Sequence, residues 1–547
     1  GVADSGVAGA GGGGVVDLAG EPVKQRARVV ILGGGFGGVY TARALERLLR
    51  PEEAEICLVN RENYFVFQPL LAEVVGGSIG ILDTVAPIRR LCRRTKLYVR
   101  EVERVDLGGK TVTLAPSGFR PRAAELRYDY LVVAAGTRTD FGSMPGMAEH
   151  ALPFKTLGDA LLLRNRALEA LEEAANETDA EFRRRLLTFV VGGGGFSGVE
   201  VVAELNDFLR LAAPAYGIAR DEIRCVLVHS GERILPEMPA GLAEYAQRIL
   251  ARRGVRLKLR DRISAATAEA AQLASGETIP CRTLVSTVPA GPAPLVQALN
   301  VAKEKGRLAV GPTLEVAGQE GAVWALGDCA SIRMANGDLA PPTAQHATRE
   351  AETVAANIAA CLRGQPQRRF EFGGLGKMGS LGRRSAVAEV LGVKISGLAA
   401  WFLWRTVYLM KMPGLDRKLR VALDWTTALW FDTELVQLRT QPSDNITSEH
   451  YEAGETVFEQ GDYGDRFYVV RTGGVEVIRD GVRIAELGPG DTFGEMALVR
   501  NAPRNATIRA VKPTDLTAVS RGSFKRLMES LPQFEEEIAE RIARRSG

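Results

Sequence analysis

Residues 28–38 read RVVILGGGFGG and run on into VYTARALERLL. Four apolar residues, Val29 to Leu32, lead straight into a glycine cluster, and apolar positions then recur at helical spacing. This predicts a strand, a tight turn and a helix. The glycines fill every position of G-x-G-x-x-G. Gly33 permits the turn, Gly35 lets a pyrophosphate approach the backbone, and Gly38 lets helix and strand pack closely. Phe36 and Gly37 complete the turn, and free N–H groups at the helix start face a phosphate. The arrangement recurs at 190–200, VVGGGGFSGVE, with Gly193, Gly195 and Gly198 in the same places. Two such turns on one chain imply two dinucleotides, and therefore electrons passing between them.

At 547 residues the chain exceeds a single hydrophobic core and suggests three or four domains. A formal net charge of +3 implies no polyanion, so no nucleic-acid partner is expected. The six cysteines (57, 92, 225, 281, 329, 361) are scattered and include no C-x-x-C pair. They read as reduced, inert thiols, with no disulfide framework and no metal site. No run of 18 apolar residues occurs, so a spanning helix is not expected. Residues 1–27, rich in Gly and Ala, read as a flexible tail.

In the first unit a second strand is expected at 55–59, EICLV. An acidic residue that accepts the ribose hydroxyl usually follows. Asn60 stands there instead, with Glu62 as the fallback. Residues 63–71, NYFVFQPLL, lack a helical period and read as a loop or short helix over the ligand. Residues 128–136, YDYLVVAAG, read as a buried strand ending at Ala135 and Gly136. In the second unit a strand at 186–191, a helix at 198–209 and a partner strand at 224–228 are expected. His229 and Ser230 occupy the acidic position there, and neither is a firm ribose acceptor. Arg233 is either a contact for a 2′-phosphate or a solvated surface charge. Glu200, two residues into the second helix, either faces a nicotinamide or flavin or meets the helix dipole as a first-turn acid.

Taken in order, residues 28–38, YDYLVVAAG, VVGGGGFSGVE and ALGDCA (325–330) resemble the two-dinucleotide flavoprotein family of the disulfide reductase type. The resemblance implies FAD in the first site and NAD(P)H in the second, with Asp328 bonding the ribityl or pyrophosphate part of FAD. The region 64–82 holds no cysteine, which argues against thiol–disulfide chemistry, and Cys329 alone is not the cysteine set of a sulfide:quinone oxidoreductase. Residues 341–350, PPTAQHATRE, resemble the A-Q-x-A-x-Q-E segment of type II, non-proton-pumping NADH:quinone oxidoreductases. Ala344, Gln345, Ala347 and Glu350 match, while Arg349 replaces the second Gln. The resemblance implies hydride flow from NADH to flavin and on to a membrane quinone. It places Glu200, Gln345, His346 and Glu350 at the quinone and nicotinamide edge.

Four of the five tryptophans, Trp401, Trp404, Trp425 and Trp430, fall in one stretch. Two helices are expected there, the second with Leu415, Leu419, Ala422, Thr426 and Leu429 on one face beside Arg417, Lys418 and Arg420. Tryptophan and cations around an apolar face suit a helix lying on a lipid surface; a buried dimer interface is the alternative. The family resemblance favours the membrane and implies a peripheral protein on the cytoplasmic face of the bacterial inner membrane. A homodimer is expected.

Past residue 440 the texture changes to short strands broken by glycines, which reads as an all-β roll. Residues 493–510, FGEMALVRNAPRNATIRA, resemble the phosphate-binding cassette of cyclic-nucleotide-binding domains. Gly494, Glu495, Arg504, Ala506 and Thr507 match, and Asn505 sits where the choice between cAMP and cGMP is often made. The resemblance implies that Arg504 pairs with the cyclic phosphate, as a guanidinium fork suits, and that Glu495 bonds the ribose 2′-OH. A roll that has lost its ligand and serves for docking is the other reading. A final helix is expected at 522–545.

The expected fold class is thus α/β. It comprises two Rossmann-like dinucleotide-binding domains (FAD at 28–150 with 300–360, NADH at 151–299), a membrane-surface helical segment (361–440) and a C-terminal β-roll with flanking helices (441–547). Two rival functions stay open: a flavoprotein NAD(P)H reductase with a soluble acceptor, and a cyclic-nucleotide-responsive interaction protein with a low-turnover flavin core. In the regulated reading, the roll docks against the membrane helices or the NADH cleft.

Overall fold

A computed structural model describes residues 26–524 apart from 118–121, 142–143, 288–289, 335, 429, 432–433, 439–445 and 500–501. The expected tail, Leu429, the start of the linker and most of the final helix lie outside the described residues.

The apolar run after Arg28 becomes the centre of a five-stranded parallel sheet. Its order is Val323–Ala325, Tyr130–Val133, Ala27–Leu32, Ala54–Asn60 and Lys96–Val99. Val29 to Leu32 are at most 1% exposed, as a strand covered on both faces requires. The helices Phe36–Leu48 and Ala344–Leu362 pack together on this lobe. The edge strand Val323–Ala325 returns from beyond the second unit, so the first sheet is assembled from two distant segments.

A second parallel sheet runs Ala151–Pro153, Thr283–Ser286, Thr188–Gly192, Arg224–His229 and Val255–Leu259. Its helix spans Phe196–Ala212 and starts earlier than expected, because extended Gly195 forms the N-cap. The stretch over the first turn also gains structure. Tyr64–Val66 pairs with Val85–Pro87, and a 3-10 turn at Gln68–Leu70 leads into the short helix Leu71–Gly76.

A three-stranded antiparallel sheet, Gly376–Ser380, Ala386–Val390 and Val393–Ser396, follows the lobes. The helices Gly397–Lys411 and Leu415–Thr427 come next. The tryptophans depart from expectation here. Trp401, Trp404 and Trp425 are 5%, 1% and 6% exposed, and only Trp430 stands out at 67%. The reason is a buried cation: Arg405 lies over Trp401 at 3.9 Å and over Trp425 at 4.6 Å. Indoles that could have sat at headgroup depth hold the protein together instead. What these helices expose is aliphatic and phenyl: Leu398, Phe402, Leu415, Leu419, Leu423 and Phe431. No described helix is long and apolar enough to cross a membrane.

The C-terminal part folds as two four-stranded sheets. They close around Tyr468, Val470, Val475, Phe493, Ile508 and Leu516, with the short helix Glu495–Val499 at one side.

Candidate active site

Both glycine turns are built alike. Gly33 and Gly193 adopt φ of +109° and +112°, which glycine alone tolerates comfortably. A Cβ on Gly38 or Gly198 would lie 1.8 Å from the carbonyl oxygen of Gly33 or Gly193. Gly35 and Gly195 have nothing within 4 Å of an added Cβ, so the backbone there faces open space. That open cradle at a helix N-terminus fits a pyrophosphate. The residues expected at the ribose hold the turns as well. Asn60 Oδ1 accepts the Gly34 N–H at 2.8 Å, and its amide N–H donates to the Glu62 carbonyl. His229 Nδ1 accepts the Gly194 N–H at 3.2 Å. Burial pushes the His229 pKa down, so a neutral ring matches that acceptor role. The fallback, Glu62, has an exposed side chain.

Asp328 follows Leu326, whose side chain lies against Gly37. It faces Thr137, whose hydroxyl lies 3.4 Å away, and Thr137 in turn meets Lys155 Nζ. Burial pulls Lys155 down while Asp328 pushes it up. Gly136 at φ +62° lies open beside them, next to Ala135. Thr137 and Lys155 were missed in the sequence. Thr137 and Asp328 are 191 residues apart, and no spacing connects them.

The strand Gly376–Ser380 joins two of the expected catalytic residues. Gln345 Nε2 donates to the Gly376 carbonyl and its Oε1 accepts from Leu375 N–H. At the other end, Glu200 Oε1 accepts the Ser380 N–H at 3.0 Å. Four residue steps of strand separate these contacts, about 13 Å. Phe196 packs on Gly379, where a Cβ would meet its ring at 2.8 Å. Glu200 is no first-turn cap. Burial pushes its carboxyl up to about 8, the Ser380 N–H pulls it back and Glu73 pushes it further up. Around it, Phe36, Phe67, Tyr408, Trp404 and Trp425 form a continuous aromatic series, each ring 4.9–6.4 Å from the next.

The other two candidates turn elsewhere. His346, 3% exposed, bonds Thr343 Oγ1 through Nδ1 at 2.7 Å and lies edge-on to Phe372. Burial lowers its pKa, which favours the neutral ring. Glu350, expected at the quinone edge, accepts the Gly327 N–H at 2.7 Å within the first lobe. The helix carries Gln345 and Glu350 five residues apart, so they leave it in different directions. Burial raises Glu350 to about 7, and its place is bracing the Gly327–Asp328 turn.

In the roll, Arg504 is 4% exposed. Its two terminal nitrogens donate to the carbonyls of Gly494 and Arg466 at 2.8 and 2.7 Å, and its guanidinium lies 4.0 Å from the Phe458 ring centre. Glu495 is 1% exposed and adjacent. Thr507 Oγ1 accepts the Gln460 N–H, Ala506 is buried, and Asn505 reaches Met496 Sδ at 3.4 Å. The ion pairs that join the roll to the rest of the described residues run to the first lobe. Arg122, at the start of the first lobe's strand 124–127, reaches Asp462 at 3.0 Å and Glu459 at 3.5 Å.

The pyridine nucleotide-disulphide oxidoreductase family matches residues 27–351, and the NDH2 C-terminal domain matches 375–432. Over 410 residues the chain is 34% identical to the demethylphylloquinone reductase NdbB of Synechocystis, covering 74% of this chain and 96% of that protein. It is 32% identical over 426 residues to the type II NADH:quinone oxidoreductase Ndh of Mycobacterium tuberculosis, covering 74% and 89%. The chain belongs to the type II NADH:quinone oxidoreductase family. Plasmodium falciparum NDH2, solved with NADH, shares its fold at a TM-score of 0.69 and 18% identity over 75% of this chain and 100% of that one. A type II oxidoreductase of this family has FAD and NADH as its two dinucleotides, and the two open glycine cradles fit both. A cyclic nucleotide-binding domain matches residues 448–531; neither relative's alignment accounts for more than 74% of this chain.

Proposed function

We propose that the chain oxidises NADH held at the second glycine turn and passes the electrons, through FAD at the first, to a membrane quinone. No protons are translocated, and a cyclic nucleotide, cAMP or cGMP, in the roll modulates the rate. The observation that carries this reading is the strand Gly376–Ser380. It anchors Gln345 at one end and Glu200 at the other, so the acceptor side and the nicotinamide side share one support. FAD supplies the two-electron chemistry when bound. The protein's part is to hold both dinucleotides by backbone N–H groups, to position Gln345 and to keep a proton on Glu200 near neutral pH.

The acceptor's source is supported by the exposed row Leu398, Phe402, Leu415, Leu419, Leu423 and Phe431. Burying one such side chain contributes about 1.5–3 kcal/mol, so the row suffices for a peripheral hold on lipid, with exposed Arg420 and Lys411 beside it. The cytoplasmic face of a bacterial inner membrane is the proposed location. Nucleotide control is supported by Arg504 and Glu495 and by the Arg122 contact to the loop that precedes Arg466.

The test is NADH-dependent quinone reduction by purified protein in liposomes, titrated with cAMP and then cGMP. A rate that changes saturably with one nucleotide supports the whole reading. A rate indifferent to both leaves an oxidoreductase with a docking roll. Bound flavin with no quinone reduction overturns the proposal.

A further inference from the structure

Reduction of a quinone by NADH takes one proton from the medium: NADH + H⁺ + Q gives NAD⁺ + QH₂. The hydride brings two electrons and one proton, and the quinol needs a second proton. Glu200, half-buried, accepts the Ser380 N–H and lies beside Trp404 and Tyr408. A proton that it gives up must be replaced after each turnover.

One helical turn along Phe196–Ala212 lies Glu204, about 6 Å further down the axis. It is 7% exposed, and no hydrogen bond or ion pair engages its carboxylate among the described residues. A carboxylate oxygen stands 2.6 Å from where a Cβ on Gly76 would be, so the two lie in close contact. This acid lines a cleft shared with Asp207, Arg383, Arg405, Trp401 and Trp425, which reaches solvent at exposed Arg383 and Arg384. Glu73, from the helix Leu71–Gly76, faces both Glu200 and Glu204. It accepts the Trp425 indole N–H at 2.5 Å and lies 3.8 Å from Arg405. Asp207 is held by Arg253 at 2.8 Å and by the Arg383 N–H.

We propose that Glu204, with Glu73, relays protons from this cleft to Glu200. This rests on the quinone-reductase reading. Burial, Glu73 and Asp207 hold Glu204 well above the usual carboxylate range, and Arg405 opposes them. This favours its protonated form, and a relay group must be able to hold a proton. Its missing partner fits the same role: a purely structural carboxyl at this depth would be bonded. Asp207, tethered by Arg253, sets the local charge; Glu204 is left free to exchange, and Glu73, which faces both Glu204 and Glu200, completes the path.

The test replaces Glu204 by its uncharged isostere. In Glu204→Gln, quinone reduction should fall about tenfold or more with KM for NADH unchanged. Ferricyanide reduction, which takes electrons without taking up a proton, should stay within about twofold of wild type. The solvent deuterium isotope effect on quinone turnover should rise, and Glu204→Asp should recover part of the rate. Equal slowing with both acceptors would show a structural role and overturn the relay, and so would an unchanged quinone rate. A wild-type protein that fails to reduce quinone in this assay overturns the functional reading itself, and the relay with it.

Discussion

The glycine turns and the roll's cassette both suit phosphate, and they are made ready in opposite ways. At the turns, the polar side chains nearby are committed to backbone: Asn60 to Gly34 and His229 to Gly194. That leaves Gly35 and Gly195 facing empty space. At the cassette, Arg504, the arginine proposed to meet the phosphate, is already engaged, capping the Gly494 and Arg466 carbonyls. A preformed cradle asks nothing of the protein when ligand arrives, which suits a resident cofactor or a substrate that turns over. A self-occupied site makes ligand displace protein bonds, so binding and conformation become linked.

The comparison breaks most visibly at the turns. A Cβ on Gly35 meets no atom within 4 Å, so Gly35→Val puts its bulk where the pyrophosphate approaches. The purified variant should be folded and lack flavin absorbance. Gly195→Val should keep its flavin and raise KM for NADH on the order of a hundredfold, through lost charge-assisted bonds. If both variants kept normal flavin and normal KM, the cradles would not be where the dinucleotides sit.

Glu200 sharpens the comparison next. Its carboxyl keeps its proton below a pH of about 8 and loses it above. Quinone reduction should therefore fall as pH rises through about 8. Glu200→Gln should be slower by roughly a hundredfold and flat across that range; a variant that keeps the alkaline limb would remove Glu200 from the proton path. Stability follows the same sign. The folded state holds this proton more tightly than the unfolded chain, whose reference is 4.5. Folding is thus disfavoured progressively from about pH 4.5 to 8. Thermal unfolding at pH 9 should show the variant more stable than wild type.

Some of this was legible in the sequence and some was not, for physical reasons. The turns, the parallel strands and the cassette were readable because local backbone needs dictate residue type: glycine at positive φ, apolar runs where both faces are covered. Glu200's proximity to Ser380, and Glu73's to Trp425, came from segments 180 and 352 residues apart, which no local pattern encodes. The tryptophans misled for the same reason. Their spacing with cations matches a lipid-facing helix, but the nearest cation, Arg405, is stacked inside. Glu350's bond to the Gly327 N–H was not readable, because a motif fixes a residue's position on a helix and not the direction its side chain leaves it.

That correction makes a membrane prediction specific. The tryptophans should matter little to lipid binding, and the aliphatic row should matter most. Leu419→Asp and Leu423→Asp should each lower partitioning onto anionic liposomes by roughly tenfold, with NADH:ferricyanide turnover preserved. Unchanged partitioning would move the membrane surface off these helices.

The smallest effect tests whether the self-occupied cassette is a switch. Arg122 holds Asp462 and Glu459, and the backbone of that loop is bonded to Arg504, through Arg504 N–H to the Asp462 carbonyl and Gly461 N–H to the Arg504 carbonyl. Docking therefore favours the arrangement in which Arg504 stays on its own carbonyls. If a cyclic nucleotide draws Arg504 away, it loosens docking, and by reciprocity the loss of docking must tighten the nucleotide by the same factor. The Arg122 side chain is 68% exposed, so the contact is worth about 0.2–1 kcal/mol. Arg122→Ala should then tighten cAMP binding to the full chain by up to about fivefold in calorimetric titration, whereas Arg504→Lys should weaken it about tenfold by losing the fork. Unchanged affinity in Arg122→Ala, beside weakened affinity in Arg504→Lys, would show a cassette that opens without reference to the flavin lobe, and the difference between the two phosphate sites would be one of packing and not of control.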